Sequence, residues 1–429
     1  MAGKKSVGDY VTLQRGITYK GNLVGKPGPA LLGLGSIHPG GGFREGDYKT
    51  YGGDCPPKLM LFPGDLFVSL KGATKDGKMI GSVARVPPSV PSGRLTQDTV
   101  KLDFGDADTE TTNFLYWVLR TPQYRDYCDG RATGSAVVAL SRDDFLNYPV
   151  PPITTTRKRV VELLEKLDDK IELNRRMNAT LEAMARALFL SWFVDFDPVR
   201  AKLDARPPAG LDQASAALFP DHLENSPLGH IPKGWKAGTV SDAFDFTMGQ
   251  SPPGNTYNEE GNGLPFYQGR TDFGFRFPTR RVFCTAPTRC AKSGDTLVSV
   301  RAPVGDINMA NEECCIGRGV AAVRHKTGAK SFTYHSMANL EPDFAKFEAE
   351  GTVFGSINKQ NFENLRFVIP PPKIVAAYER LAAPLDEQIY NLEHQSRTLA
   401  TLRDTLLPKL LSGALSVAGS GLTNHIRNQ

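Results

Sequence analysis

Leu167-Asp168-Asp169-Lys170-Ile171 recurs 218 residues later as Leu385-Asp386-Glu387-Gln388-Ile389, and this echo decides the fold. Working outward, Thr180-Leu181 returns as Thr398-Leu399, while Met184, Leu188 and Phe189 return as Leu402, Leu406 and Leu407. The approach to each copy is also alike: Tyr148-Pro149-Val150-Pro151-Pro152 in the first half and Phe367-Val368-Ile369-Pro370-Pro371-Pro372 in the second. A period this long marks a duplicated domain rather than a solenoid unit, and duplication within one chain predicts a pseudo-two-fold arrangement.

Both copies carry a helical seam. Between Ile153 and Phe193 there is no Gly or Pro. Apolar positions step by four and three through Val160, Leu164, Leu167, Ile171, Asn174, Asn178, Leu181, Ala185, Leu188 and Trp192. The second copy keeps the same steps through Tyr378, Ala382, Leu385, Ile389, Leu392, Ser396, Leu399, Arg403, Leu406 and Leu410. This is the spacing of a coiled-coil seam. Helices of roughly 50 Å, at about 1.5 Å per residue, are too long for one small domain to cover, so the two are expected to pack on each other. Asn178 and Ser396 hold equivalent seam positions, where polar residues commonly fix register.

The rest of the chain is mixed α/β. Residues 1–152 are broken by Gly and Pro, with β-type runs at Leu66-Phe67-Val68-Ser69-Leu70 and Val83-Ala84-Arg85-Val86, and a helix expected from Asn113 to about Tyr127. Residues 236–372 read alike. Gly64-Asp65 with Val68-Ser69 and Lys71 parallels Gly294-Asp295 with Val298-Ser299 and Arg301. Gly134-Ser135 with Phe145 parallels Gly351-Thr352 with Phe362. The expected organisation is a first α/β domain at 1–152, a long helix at 153–200, a connector at 201–235, a second α/β domain at 236–372, a second long helix at 373–415 and a tail at 416–429. The fold class is therefore α/β: two duplicated domains separated by two long antiparallel helices that form a coiled coil, with pseudo-two-fold symmetry.

Bulk properties bound the function. At 429 residues the chain holds two to three domains, and 40% hydrophobic with 23% charged residues describes a soluble globular protein. A net charge of +5 permits nucleic-acid binding without requiring it. Six cysteines show no C-x-x-C pair and no His companions at ligand spacing, which reads as reduced thiols rather than a metal site. No apolar leader or membrane span is legible, so a cytoplasmic location is expected.

Catalytic signatures are missing. Ser251-Pro252-Pro253-Gly254 is the nearest string to an amino-methyltransferase motif, and it lacks both the amide or carboxylate and the aromatic. Gly21-Asn22-Leu23-Val24-Gly25-Lys26 is one residue short of a phosphate loop and runs into Pro27, where a magnesium-holding hydroxyl belongs. Gly33-Leu34-Gly35 opens no helix, and Pro220-Asp221-His222-Leu223-Glu224-Asn225 lacks the Lys of a nuclease motif. The seven histidines include no i, i+4 pair. These readings favour a binder and organiser.

Binding chemistry is present. Residues 270–301 hold Arg270, Arg276, Arg280, Arg281, Arg289, Lys292 and Arg301 against Asp272 and Asp295, a net of +5. Residues 68–101 hold Lys71, Lys75, Lys78, Arg85, Arg94 and Lys101 against Asp76 and Asp98, a net of +4. Phosphate contacts need Arg and Lys, and base readout needs Arg, Lys, Asn and Gln on loops that can enter a groove. Lys71, Lys75, Lys78, Arg85, Arg94, Arg270, Arg276, Arg280, Arg281 and Arg301 are accordingly the candidate DNA contacts, and duplex DNA is a partner that suits a doubled chain. Phe273, Phe275 and Phe277, at i, i+2 spacing, read as one buried strand face.

Two α/β domains alternating with two long helices resemble the specificity subunit of type I restriction–modification systems. The strings that carry the resemblance are Leu188-Phe189-Leu190-Ser191-Trp192-Phe193-Val194-Asp195-Phe196-Asp197-Pro198-Val199 and Leu406-Leu407-Pro408-Lys409-Leu410-Leu411-Ser412-Gly413, which look like the ends of that family's central and distal helices. Pro227-Leu228-Gly229 with Ile231-Pro232-Lys233-Gly234-Trp235 resembles the lead into a second target recognition domain. The resemblance implies a non-catalytic chain in which each recognition domain reads half of a bipartite, asymmetric DNA site, while the helix pair sets the unread spacer. It also implies docking of two methylation subunits, joined by restriction subunits. S-adenosylmethionine, ATP and Mg would sit on those partners, and no cofactor on this chain. Two rivals stand beside it: a standalone two-domain DNA-binding regulator, which would bind tightly by itself, and a structural coiled-coil adaptor, which leaves the paired basic runs unexplained.

Overall fold

The computed structural model describes residues 5–46, 48–72, 77–134, 138–349 and 355–411. The chain divides into two compact units, one of Met1–Ile171 with Arg397–Gln429 and one of Glu172–Ser396. The division cuts each long helix near its middle, so each unit combines one α/β domain with half of each helix.

In the first unit the strands are β1 (Thr12–Arg15), β2 (Ala30–Leu32), β3 (Met60–Leu61), β4 (Leu66–Ser69), β5 (Val83–Arg85), β6 (Gly93–Leu95) and β7 (Thr99–Asp103). One sheet has the order β1-β7-β4-β5 and is antiparallel throughout; the other has the order β2-β6-β3, with β2 and β6 parallel. The helices are α1 (Thr109–Val118), α2 (Pro122–Asp129), α3 (Arg142–Leu146) and the long α4 (Thr155–Phe193). Leu66–Ser69 is buried on both faces. Side chains alternate along a strand, so Leu66 and Val68 join the helix-side core while Phe67 joins Leu32, Leu61 and Leu95 of the second sheet. The single helix expected from Asn113 onward is instead two. Thr121 is an N-cap whose hydroxyl accepts from the Tyr124 N–H at 3.3 Å, and Pro122 starts the new helix where a missing N–H costs nothing.

The second unit adds α5 (Asp197–Leu203), α6 (Gln213–Ala217), β8 (Leu223–Ser226), β9 (Gly229–Pro232), β10 (Lys236–Thr239), α7 (Val240–Ala243), β11 (Phe244–Met248), β12 (Tyr257–Asn258), β13 (Leu264–Tyr267), β14 (Phe283–Cys284), β15 (Cys290–Ala291), β16 (Thr296–Ser299), β17 (Ile307–Met309), β18 (Cys314–Ile316) and β19 (Val320–His325). It closes with α8 (Lys330–Asn339), α9 (Glu341–Ala349), α10 (Lys359–Glu363), β20 (Arg366–Ile369) and the long α11 (Pro372–Leu411). The sheet β11-β19-β16-β17 repeats the order of β1-β7-β4-β5 strand for strand. The parallel pair β13/β18, with β15 antiparallel to β18, repeats β2/β6 with β3. Three helices follow in both. Val298 faces the helix-side core and Leu297 the second sheet, the alternation seen at β4. The duplication is thus a duplication of topology. The extra strands β12 and β14 belong to the second unit, where the loops differ.

Two expectations need correction, and a third gains its physical cause. The connector at 201–235 is folded: Phe219, Ile231 and Trp235 sit in the core of the second unit, and Trp192 meets Phe219 edge-on at 5.0 Å. Its apolar residues are too few for periodicity to reveal, but Phe219, Ile231 and Trp235 are buried in that core. Phe273, Phe275 and Phe277 do not share a strand face; Phe277 is buried against Tyr390, whereas Phe275 is 50% exposed. The Gly-Asp echo is a turn. Gly64 and Gly294 adopt φ of 93° and 87°, the left-handed region that favours glycine. Asp65 accepts from the Phe62 N–H and the Lys101 ammonium, and Asp295 from the Lys292 N–H and the Arg324 guanidinium. The comparison of Gly134-Ser135 with Gly351-Thr352 lies largely outside the described residues.

The helix seam is built within each unit, with α4 and α11 antiparallel. In the second unit Asn174 Nδ2 donates to Gln395 Oε1 at 2.8 Å and to Ser396 Oγ at 3.2 Å, and Tyr378 Oη donates to the Ala185 carbonyl at 3.2 Å. Asn178, Ile389 and Leu392 are buried there, Leu181 and Leu385 half-buried, and Leu188 packs at the core margin. The polar seam contact therefore joins Asn174, not Asn178, to Ser396. Antiparallel packing brings together positions that are not equivalent in the repeat. In the first unit Leu164, Leu167 and Ile171 are buried and Leu399 is half-buried. Val160, Leu164, Leu406 and Leu407 join the domain core.

Candidate nucleic-acid interface

The candidate cations separate by burial. Arg94 and Arg276 cannot reach a ligand in this structure. Arg94 is interior, donating to the carbonyls of Thr18, Asp54 and Leu95 and lying over the Tyr51 ring at 4.8 Å. Arg276 is wholly buried, donates to Asp386, pairs with Glu182 and stacks on Tyr334 at 3.9 Å. Arg85 is also committed, since its guanidinium makes a bidentate pair with Glu165 (2.7 and 2.9 Å) and lies over Tyr116 at 4.1 Å. Charge runs in a sequence do not show whether a carboxylate from a distant helix waits to meet the cation. For Arg85 and Arg276 one does.

The inward-turned arginines share a design. Phe114-Leu115-Tyr116-Trp117 and Phe332-Thr333-Tyr334-His335 are 218 positions apart, on α1 and α8. Each tyrosine is stacked by arginine, and in each unit the long-helix aspartate of the opening echo accepts from arginine: Asp168 from Arg120 and Arg403, Asp386 from Arg276. Trp117 Nε1 donates to Glu165, whereas His335, in the equivalent place, is buried beside the Arg276 and Arg186 charges. Burial first, then those two cations, pushes the imidazole down to about 3, so it is neutral. Burial likewise lowers His325 to about 4. This node anchors each domain to its long helix; the Leu-Asp echo was its signal.

The remaining candidates lie at the surface. Lys71 and Arg301 are exposed equivalents, each on a residue that bridges to another segment (Ala139 and Ser356), and Lys78 is exposed as well. Arg270, Arg280 and Arg281 pair with Asp306, Glu312 and Asp272. The Arg270 and Arg280 pairs are exposed, contribute little and can exchange their carboxylate for a phosphate, whereas the Asp272 carboxylate that holds Arg281 is buried. Lys75 lies outside the described residues.

Sequence reasoning missed the polar clefts. In the first unit a cleft of about 950 Å³ is lined by Tyr19, Ser36, Arg44, Lys49, Thr96 and Gln97. In the second, a smaller cleft of about 560 Å³ is lined by Arg270, Thr271, Phe273 and Asp306. Each opens beside the short 3₁₀ turn that follows the parallel strand of the second sheet, Leu34–Ser36 after β2 and Arg270–Asp272 after β13. Donors and acceptors at such an edge suit base-edge recognition. Among the described residues no group of three or more His, Cys, Asp or Glu is placed to hold a metal, and no helix is long and apolar enough to cross a membrane.

Known proteins agree with this architecture. The family described as the type I restriction modification DNA specificity domain matches residues 232–393. The HindI specificity subunit of Haemophilus influenzae is 25% identical over 372 residues, covering 72% of this chain and 79% of that protein. The MjaIX specificity subunit of Methanocaldococcus jannaschii is 24% identical over 327 residues, covering 72% and 70%. The crystal structure of the type I restriction–modification S subunit from M. genitalium matches with a TM-score of 0.52 over 95% of both chains at 14% identity, a likeness of fold. With a duplicated α/β domain, a helix pair and these relatives together, the chain is similar to the specificity subunits of type I restriction–modification systems, and residues 232–393 match their DNA specificity domain.

Proposed function

We propose that this specificity subunit reads a bipartite, asymmetric DNA site, one half through each α/β domain, while the helix pair sets the unread spacer between the halves. The observation that carries the reading is the repeated sheet order with divergent loops. One frame used twice presents two reading edges, and different loop chemistry makes the halves different. A helix of 39 residues spans roughly 60 Å, while half-sites on one face of B-DNA recur at about 34 Å, so the pair is long enough to bridge them. Sameness of the two seams supplies similar docking surfaces for two methylation subunits, and restriction subunits join that core. Methyl transfer to adenine and DNA cleavage belong to those partners, which hold S-adenosylmethionine, ATP and Mg.

Single-molecule methylation mapping of cells expressing the chain with its methylation subunit tests the proposal. One split motif with a fixed gap is the expected result. A continuous motif, or none, refutes it.

A further inference from the structure

The loop joining the parallel strand to the long central strand is the same structure in both units. In the first unit β6 ends at Leu95, β7 begins at Thr99, and Thr96-Gln97-Asp98 lies between; in the second, β18 ends at Ile316, β19 begins at Val320, and Gly317-Arg318-Gly319 lies between. The backbone bonds correspond one for one. The Thr96 N–H donates to Leu32 O at 3.1 Å, and the Gly317 N–H to Tyr267 O at 2.9 Å. The Thr99 N–H donates to Thr96 O at 3.2 Å, and the Val320 N–H to Gly317 O at 3.0 Å. The Gly16 N–H donates to Thr99 O at 3.1 Å, and the Gly249 N–H to Val320 O at 2.9 Å. Those two glycines are required by close approach, because a Cβ would lie 1.8 Å from Thr96 O at Gly16 and 2.1 Å from Gly317 O at Gly249.

The turn is therefore clamped from both sides, and its middle residue is the one free to differ. Gln97 and Arg318 are both exposed, and among the described residues neither side chain makes a hydrogen bond. Gln97 lines the first unit's cleft. A rigid backbone leaves only the side-chain rotamers to be ordered on binding. These two groups match different bases: Gln offers the bidentate pattern of adenine N6 and N7, Arg that of guanine O6 and N7. Resting on the two-half reading above, we propose that Gln97 and Arg318 are specificity-determining residues, Gln97 reading an adenine in one half-site and Arg318 a guanine in the other.

The test is methylation mapping of the full complex carrying wild-type chain, Gln97→Ala or Arg318→Ala, with assembly checked by gel filtration. Arg318→Ala is expected to relax discrimination at one guanine position by about 10- to 100-fold, leaving the other half unchanged; Gln97→Ala does the same at one adenine of the opposite half. An unchanged motif in both variants overturns the assignment while leaving the two-half reading intact. So does loss spread evenly over all sites, which marks a phosphate contact, and so does failure of either variant to assemble, which marks a structural role. Absence of any split motif from the wild-type complex sinks the underlying reading, and this assignment with it.

Discussion

Arg276 and Asp386 form a buried ion pair that ties the second recognition domain to the distal long helix. The aspartate belongs to the duplicated Leu-Asp string, and its counterpart Asp168 performs the same service for Arg120 in the first unit. Equivalent acids thus anchor both domains, although Arg276 comes from a loop and Arg120 follows α1.

Removing Arg276 strands Asp386 and Glu182 without their cation. Arg276→Met is expected to destabilise the second unit by about 3–5 kcal/mol, the usual cost of orphaning a buried charge. Arg280→Ala breaks only the exposed pair with Glu312 and should cost less than about 1 kcal/mol. Urea unfolding of the two variants checks the contrast; shifts of similar size would mean the buried pair is not an anchor.

Asn174 is the polar link in the helix seam. Asn174→Ala leaves Gln395 without its donor and opens space in the seam, so a loss of about 1–2 kcal/mol is expected. Asn174→Leu combined with Ser396→Ala should recover most of that loss, because both seam positions become apolar together while the exposed Gln395 amide turns to water. A double variant less stable than the single one, measured by thermal melting, would contradict this account.

Acid should weaken the second unit through its two buried histidines. His335 and His325 are held neutral in the fold, at about 3 and about 4, while an unfolded histidine titrates near 6.5. Between those values the unfolded chain binds more protons than the folded one. Stability is full above about pH 6.5 and falls as pH drops toward 4, by up to about 1.4 kcal/mol per pH unit for each histidine. Chemical denaturation across pH 4–7 measures the slope, and His335→Phe should flatten it. An unchanged slope in that variant argues against the assignment.

Modularity and spacing can be separated. Exchanging residues 236–372 for another recognition domain should change one half of the methylated motif only; alteration of both halves would refute independent readers. Inserting about one helical turn after Asn174 and after Leu392 should lengthen the gap by about one to two base pairs, since a turn rises about 5.4 Å against about 3.4 Å per base pair. Unchanged spacing in the methylome would remove the ruler.

Legibility followed the length scale of the signal. The seam from Leu164 to Leu406 is readable because a stripe of ten positions at steps of four and three leaves little room for accident. The sheets were readable only as a class. Strands of two to five residues carry too little alternation to reveal that β1-β7-β4-β5 and β11-β19-β16-β17 share an order. The interface was read least well. Charge runs point to Arg85, Arg94 and Arg276, which turn inward, and say nothing of the cleft that Gln97 lines.

By itself, the sequence determined the duplication, the helix pair and the family resemblance, because these rest on periodicity and on strings that survive as local patterns. Tertiary structure alone decided which cations face solvent and which residues meet across the antiparallel seam. An arginine's role depends on whether a carboxylate 110 residues away, as Asp386 is from Arg276, folds back to desolvate and neutralise it. No local pattern encodes that distance.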